Sequence, residues 1–144
     1  MMDNASVTAN IPAADLERAR AFYADKLGLT PTQELPGIML LYRTAAGSTF
    51  SVYQTEYAGR SGHTIAQWHV ADVDAAVRDL QSRGVTFEHY DMPGVEWNND
   101  VASMAGMGKA AWFKDSEANI LCIDDGFAGE LASQPPPPRS AAST

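Results

Sequence analysis

The chain has 144 residues, 45% of them hydrophobic and 19% charged, which is typical of one compact globular domain rather than of a disordered or fibrous chain. Ten basic residues face 18 acidic ones, and the resulting net charge of −8 repels phosphate backbones and anionic membranes. The composition therefore argues against nucleic acid as a partner. The same charge favours a cationic ligand, or simply keeps the protein soluble.

The cellular compartment is indicated by three absences. Cys122 is the single cysteine and excludes an intrachain disulfide, and residues 1–12 lack the basic and apolar regions of a signal peptide. No apolar run approaches the roughly 18 residues that a membrane helix needs. We therefore expect a cytoplasmic protein without a membrane segment.

The first half of the chain predicts a strand, a helix and a hairpin. Residues 6–12 alternate between two faces, as a strand does. Asp15 is a natural N-cap for an amphipathic helix, and Gly28 is suited to end it. Residues 37–44 and 48–55 predict two strands of a hairpin. The order is β-α-β-β, with room for one more short strand.

The second half repeats this plan. Another strand-like stretch leads into Asp72, 57 positions after Asp15, and a helix that Gly84 ends. Three predicted strands follow, at residues 85–91, 109–115 and 119–125. Each copy is too small to bury a sound core alone, so the two should pack together. The crevice between them is a natural place for a ligand.

Two segments lie outside this repeat. Residues Pro93–Gly108 predict a long loop that carries Trp97, which is typical of a lid over a binding site or of a mobile surface excursion. Residues 126–144 include four consecutive prolines and have little apolar surface to bury. We predict a flexible, extended tail there and exclude it from the fold.

Three phrases carry a family resemblance: DLERARAFYADKLGL, DVDAAVRDLQSRGV and WFKDSEANILCIDD, in that order. Together they resemble the vicinal oxygen chelate (VOC) superfamily, which includes glyoxalases, extradiol dioxygenases and bleomycin-resistance binding proteins. The resemblance covers roughly residues 5–125. One departure is the sequence Asp-Ser-Glu-Ala-Asn at residues 115–119, where the family usually has Asp-Pro-Asp-Gly-Asn.

The resemblance implies an α+β fold of two paired βαβββ modules. These form a curled mixed sheet around a cavity, with the helices on the outer face. The predicted domain spans residues 1–125, with module 1 at about 5–57 and module 2 at about 62–125. The resemblance also implies a homodimer with cavities at or near its interface.

Metal-dependent members of the family bind a divalent ion through His, Glu or Gln at four cavity-facing positions. The matching positions here hold Thr8, Ser51, Ile65 and Cys122. Thr, Ser and Ile offer no imidazole or carboxylate, and one thiolate alone cannot hold the ion. We therefore predict no metal cofactor. A displaced metal site built from His69, Cys122 and Asp124 is the alternative.

Alternation along the strands predicts which side chains face the cavity. Trp68 and Phe113 fall on the opposite, helix-facing side. The cavity-facing set is polar and aromatic, with Trp97 able to close over it: Asn10, Ser51, Tyr53, Gln67, His69, Trp112 and Cys122. Such a surface suits stacking and orientation of a planar or cationic small molecule, although plain packing explains Tyr53 and Trp112 equally well.

Two functions of different class follow. The first is a metal-free protein that binds a small organic molecule, cationic or aromatic, through Asn10, Ser51, Gln67, Trp97, Trp112 and Cys122. The second is an enzyme of the superfamily, a glyoxalase-like lyase, an isomerase or a dioxygenase. It would use His69 and Tyr53 for acid–base catalysis, or a displaced metal site. The fold alone does not separate the two functions.

Overall fold

A computed structural model describes residues 2–104, 106 and 108–125 of the chain. In this part the protein is α+β, and neither of its α-helices is long and apolar enough to cross a membrane. A short 3₁₀ helix, Met2–Asn4, comes first. The first module contains β1 (Ala9–Ala13), α1 (Leu16–Leu27), β2 (Gln33–Leu35), β3 (Met39–Arg43) and β4 (Thr49–Gln54). The second contains β5 (Thr64–His69), α2 (Val73–Ser82), β6 (Phe87–Glu88), β7 (Val95–Asn98), β8 (Val101–Met104), β9 (Gly108–Lys114) and β10 (Ile120–Asp124). The predicted tail, residues 126–144, lies outside the described residues.

Both helices begin and end where the sequence predicts. The side chains of Asp15 and Asp72 each accept a hydrogen bond, 3.0 Å long, from the backbone N–H three residues further on. Gly28 (φ 68°) and Gly84 (φ 88°) follow the two helices in the left-handed conformation that glycine adopts without strain. These local signals are therefore confirmed.

Each module forms its own mixed sheet, and the strand order is the same in both. The first sheet has the order β1-β4-β3-β2, with β1 parallel to β4. The second has the order β5-β10-β9-β8-β7, with β5 parallel to β10, and β6 pairs with β9 beside this path. The second module is thus the first with β6 and β7 added. This confirms the duplicated α+β architecture.

The prediction of a long loop at Pro93–Gly108 is wrong. Its centre is the hairpin of β7 and β8, whose two-residue turn places Asn99 at φ 47° and Asp100 at φ 65°. A tight turn with two residues at positive φ matches the twist of the flanking strands, and Asn and Asp tolerate that conformation better than most residues. The segment therefore extends the sheet.

Some strand bounds also differ from the prediction. The strand predicted at 85–91 is only Phe87–Glu88, because β9 offers β6 only two partners, Phe113 and Trp112. The first strand begins at Ala9, where its parallel pairing with Phe50 of β4 starts. The additional short strand for which the first module had room is β2, at the sheet edge.

The two modules share one core on the helix side of the sheets. It includes Ile11, Tyr23 and Val52 from the first module and Val77 and Phe113 from the second. The helix ends also cross-link the modules, since Lys26 Nζ donates to the carbonyl of Arg83, and Arg83 Nη1 donates to the carbonyl of Asp25 at 3.2 Å. Lys26 and Arg83 are 57 positions apart, the repeat distance, so each helix terminus receives a cation from its counterpart.

The turn at residues 115–119, here called the DSEAN turn, joins the second module to the first. Asp115 accepts hydrogen bonds from the backbone N–H groups of Glu117 and Asn119, both at 2.9 Å. Its other oxygen accepts from the Tyr23 hydroxyl at 2.8 Å. The Asn119 side chain donates to the carbonyl of Pro12 at 2.8 Å. Buried polar groups of the turn are thus satisfied partly within the turn and partly by groups of the first module, and Asn119 Oδ1 has no hydrogen-bond partner among the described residues.

Glu117 contributes a fully buried carboxylate to this turn. Its side chain is 0% exposed and accepts from Arg18 Nε at 2.7 Å, from the Asp15 N–H at 2.9 Å and from the Ser116 hydroxyl at 2.8 Å. Burial opposes the ionised form, but these hydrogen bonds outweigh burial and lower the pKa of Glu117. For Asp115 burial outweighs the hydrogen bonds, and its pKa is raised.

Ala118 sits at φ 66° within the same turn, where the family resemblance predicts glycine. A non-glycine residue in this region costs about 1–2 kcal/mol of stability. Replacement by glycine removes this cost, but part of the gain is lost because glycine increases the conformational entropy of the unfolded chain. We therefore expect Ala118→Gly to raise the free energy of unfolding by about 0.5–1 kcal/mol in urea titrations. The control Ala21→Gly, on the exposed side of α1, should lower it by about 1 kcal/mol. A loss of stability in Ala118→Gly would contradict the strain argument.

Candidate functional site

The two faces of the six-stranded sheet differ in what covers them. Phe113 is fully buried in the shared core, and Trp68 packs against that core with its ring edge-on to Phe50, 5.8 Å between centroids. Trp68 also lines a cavity of about 280 Å³ between the helices and the sheet. The predicted helix-facing position of Trp68 and Phe113 is thus confirmed. Trp112 lies on the opposite side, here called the helix-free face.

Four aromatic side chains meet on the helix-free face. Trp97 of β7 and Trp112 of β9 approach to 6.2 Å between ring centroids, although β8 runs between them. They reach each other because the β8 residue paired with Trp97 is the small Ala102. His89 stacks on Trp97 at 4.2 Å and 10°, and Tyr90 stands edge-on to Trp112 at 6.0 Å and 85°. These four residues are called the aromatic cluster below.

The hairpin that carries Trp97 is tied to the second helix. Asp100, in the hairpin turn, contacts His89 Nε2 at 2.6 Å and accepts from Gln81 Nε2 of α2 at 2.9 Å. His89 in turn stacks on Trp97. Trp97 is therefore held by a chain of contacts running from the helix through the turn to the ring.

The Tyr90 hydroxyl adds one polar group to the cluster. Its oxygen is buried, and within the described residues it has no hydrogen-bond partner. Burial raises the pKa of Tyr90, helped by the nearby charge of Glu88. The cluster thus combines aromatic rings with a hydroxyl that a bound molecule could pair with.

A polar group lies beside the aromatic cluster. Cys122 of β10 stands between Trp112 on one side and Gln67 on the other. Asp124, two residues on, contacts His69 Nδ1 through both carboxylate oxygens, at 3.1 and 3.4 Å, and accepts from Gln67 Nε2 at 3.4 Å. The carboxylate is 8% exposed and the imidazole 35% exposed. We call these two residues the His69–Asp124 pair.

Cys122 is a poor nucleophile in this setting. The residue is 1% exposed, and burial above all raises the pKa of its thiol to about 12. The thiolate is the reactive form of cysteine, so at neutral pH this side chain acts as a small apolar neighbour of Trp112. It remains a candidate ligand contact by position only.

The four positions that bind metal in the family do not fit a divalent ion here. Thr8 offers only a hydroxyl, Ile65 has no donor atom, the Ser51 hydroxyl donates to Asn10 Oδ1, and the Cys122 thiol stays protonated. Throughout residues 2–104, 106 and 108–125, no three His, Cys, Asp or Glu side chains come together in a way that could hold a metal. This covers the displaced site of His69, Cys122 and Asp124, so we derive no metal-assisted step.

The predicted residues of the first module lie on the other sheet. Asn10 and Ser51 face each other across β1 and β4, and Tyr53 follows on β4, opposite Pro12. In the part of the chain that the structure describes, no hydrogen bond or ring contact links Tyr53 to His69. One chain therefore presents two groups of predicted site residues: Asn10, Ser51 and Tyr53 on the four-stranded sheet, and Gln67, His69, Trp97, Trp112 and Cys122 on the six-stranded sheet.

Two larger clefts, each of about 440 Å³, lie on the outside of the first module. Both are lined by Arg20 and Glu34, whose charges already pair at 2.7 Å. Neither contains a predicted site residue. We place the candidate site at the aromatic cluster and the His69–Asp124 pair because rings and polar groups converge there, which volume alone does not provide.

The family model described as the Glyoxalase/Bleomycin resistance protein/Dioxygenase superfamily matches residues 6–123. The chain belongs to this superfamily, as its resemblance to VOC proteins implied. A comparison with curated proteins finds no match.

Solved structures of the same fold include both enzymes and binding proteins. FosX, a fosfomycin resistance protein from Listeria monocytogenes, is similar with a TM-score of 0.66 at 13% identity, covering 90% of this chain and 96% of that one; one of its structures is a complex with Mn(II). TnmS3, an antibiotic binding protein from Streptomyces sp. CB03234, gives 0.58 at 21%, covering 86% and 98%. Lactoylglutathione lyase from Agrobacterium tumefaciens gives 0.62 at 19%, covering 90% and 97%. At these identities the likeness shows the fold alone.

Proposed function

We propose that this protein binds a small organic molecule on the helix-free face of its six-stranded sheet, without a resident metal ion. The observation that carries the proposal is the aromatic cluster beside the polar side chains of Gln67, His69 and Asp124, here called the polar patch. Flat rings supply stacking area, and the few polar groups orient the bound molecule. The antibiotic-binding function of TnmS3 shows that this fold can serve such a role.

The negative charge of the site favours a neutral or cationic ligand over an anionic one. Asp124 is the carboxylate of the patch, and Glu88 lies opposite Trp112 in the sheet. The net charge of −8 adds a general attraction for cations. An aromatic cation would gain from the tryptophan faces as well as from these carboxylates.

The ligand cavity is proposed to form between two copies of the chain. Within one chain, Asn10, Ser51 and Tyr53 lie on a different sheet from the aromatic cluster. A two-fold dimer that faces the first module of one copy towards the second module of the other would complete a lined cavity. We propose this homodimer, with a domain over residues 1–125, residues 126–144 as an appended tail, and a cytoplasmic location.

An enzymatic function is the second candidate, favoured by one observation. The His69–Asp124 pair has the geometry of an imidazole oriented by a carboxylate, which is how many general bases are held. Tyr53 would have to reach the pair from another copy of the chain to act with it. If the protein turns a ligand over and His69→Ala abolishes turnover while binding persists, the enzyme replaces the binding protein.

Elemental analysis and calorimetric titration test the proposal. We expect far less than one zinc, iron, manganese or nickel per chain, and a thermal midpoint that EDTA does not change. We expect at least one flat aromatic probe, among proflavine, 2-naphthol and 2-methoxynaphthalene, to bind at one equivalent per chain. About one metal ion per chain, lost in His69→Ala, would contradict the metal-free proposal.

A further inference from the structure

The hydrogen bond of the His69–Asp124 pair has one possible donor, the imidazole, and one possible acceptor, the carboxylate. A carboxylate accepts hydrogen bonds and donates none when ionised. Both oxygens of Asp124 lie near Nδ1 of His69, at 3.1 and 3.4 Å. Since Asp124 is 8% exposed and Gln67 donates to the same carboxylate, this orientation is fixed by the sheet and not by solvent. Nδ1 is therefore the nitrogen that carries the hydrogen.

The other nitrogen of the same ring is then left as an acceptor. In neutral imidazole one nitrogen donates and the other accepts, so a hydrogen on Nδ1 leaves a lone pair on Nε2. Within the described residues no hydrogen bond to His69 Nε2 is present, and the side chain is 35% exposed. A bound molecule can therefore reach this lone pair.

We propose that Asp124 is a positioning residue that holds His69 as the Nδ1–H tautomer, and that Nε2 selects flat aromatic ligands carrying an N–H or O–H donor. The tautomer follows from the geometry of the pair, whereas the ligand class rests on the function proposed above. Trp112 and His69 lie on β9 and β5, with β10 between them. Two strand intervals, about 10 Å, separate those strands, so a two-ring molecule stacked at Trp112 can direct its donor to the imidazole.

Nitrogen-15 NMR of the imidazole rings tests the tautomer without any ligand. The chain has three histidines, so His63→Gln and His89→Gln variants assign the signals of His69. In wild-type protein at alkaline pH, where imidazole is neutral, we expect the Nδ1–H form of His69. Asp124→Asn and Asp124→Leu should shift His69 towards the Nε2–H form, which a free imidazole side chain favours. Two replacements are used so that one failure to fold leaves the other.

The second His–Asp contact of the chain supplies a matched control. His89 and Asp100 also pair, at 2.6 Å, but through Nε2 of the histidine and on a more exposed surface. Asp100→Asn should leave the His69 signals unchanged while altering those of His89. A wild-type His69 in the Nε2–H form, or one that Asp124→Asn and Asp124→Leu leave unchanged, would overturn the positioning role.

A pair of probes that differ by one hydrogen-bond donor tests the ligand class. We expect 2-naphthol to bind wild-type protein about three- to tenfold more tightly than 2-methoxynaphthalene, the worth of one neutral hydrogen bond. His69→Phe should remove this ratio while retaining the stacking surface. Equal binding of both probes by wild type would overturn the selection of donors. Binding of neither probe, with His69 found as Nδ1–H, would overturn the ligand class and leave Asp124 as the positioning residue.

Discussion

Glu117→Gln is expected to lower the free energy of unfolding at pH 7 by about 2–4 kcal/mol. The glutamate side chain is 0% exposed and accepts from Arg18, Ser116 and the Asp15 N–H. A glutamine keeps one acceptor oxygen but turns an N–H₂ group towards donors that need an acceptor. The mismatch falls where the second module docks on α1, so urea titration should report a global loss of stability.

The pH dependence of this loss has a definite sign. The folded state lowers the pKa of Glu117, so its contribution is present above the pKa of the unfolded chain and disappears as the pH falls through the folded value. The difference between wild type and Glu117→Gln should therefore shrink as the pH is lowered from 7 to about 3. Asp115, whose pKa is raised, titrates in both proteins and largely cancels from the difference.

A surface glutamate in the same region provides the control. Glu17 lies in the first turn of α1, is 79% exposed and contacts Arg20 at 3.3 Å. Glu17→Gln removes the same charge from an ion pair that water already screens, and should change stability by less than about 0.5 kcal/mol. Equal losses in the two variants would show that net charge, and not the buried hydrogen bonds, is what Glu117 contributes.

Much of the framework could be predicted from the sequence because its signals are local. The caps Asp15 and Asp72 and the terminating Gly28 act within a few residues, so their meaning survives without knowledge of the fold. Period-two alternation likewise separates Trp68 from His69 on adjacent positions of β5. The hairpin at 95–104 was missed because its Asn99-Asp100 turn lacks the glycine that usually marks such turns.

The rest of the site depends on contacts between distant parts of the chain. Period-two alternation starting from the core residue Phe87 could have placed Tyr90 on the face opposite the core. The contact between His89 and Trp97 could not be predicted in this way, because it forms only where β6 has ended at Glu88. Glu117 meets Arg18 across 99 positions of sequence, and no periodic pattern encodes that pairing. The sequence shows the unusual DSEAN residues, but it does not show that Glu117 forms part of the contact between the two modules.

Trp68→Ala and Trp112→Ala are expected to damage different properties of the protein. Trp68 packs against the shared core and contacts Phe50, so its loss should cost about 3 kcal/mol of unfolding free energy. Trp112 lies on the helix-free face, against Trp97 and Tyr90. Its removal should cost less stability but weaken probe binding by about 1–3 kcal/mol through lost stacking.

The pair is informative because the two residues are of the same type and occupy opposite faces of one sheet. Both are half-buried tryptophans on strands of the same sheet, so composition and side-chain volume cancel in the comparison. Urea titration gives the stability of each variant, and calorimetry with the flat probe that binds wild type most tightly gives its affinity. Trp68→Phe should recover much of the lost stability, since a smaller ring still fills part of the space beside Phe50. If Trp112→Ala binds the probe as wild type does while Trp68→Ala, still folded, does not, the ligand lies on the helix side of the sheet, and the aromatic cluster is packing rather than a binding surface.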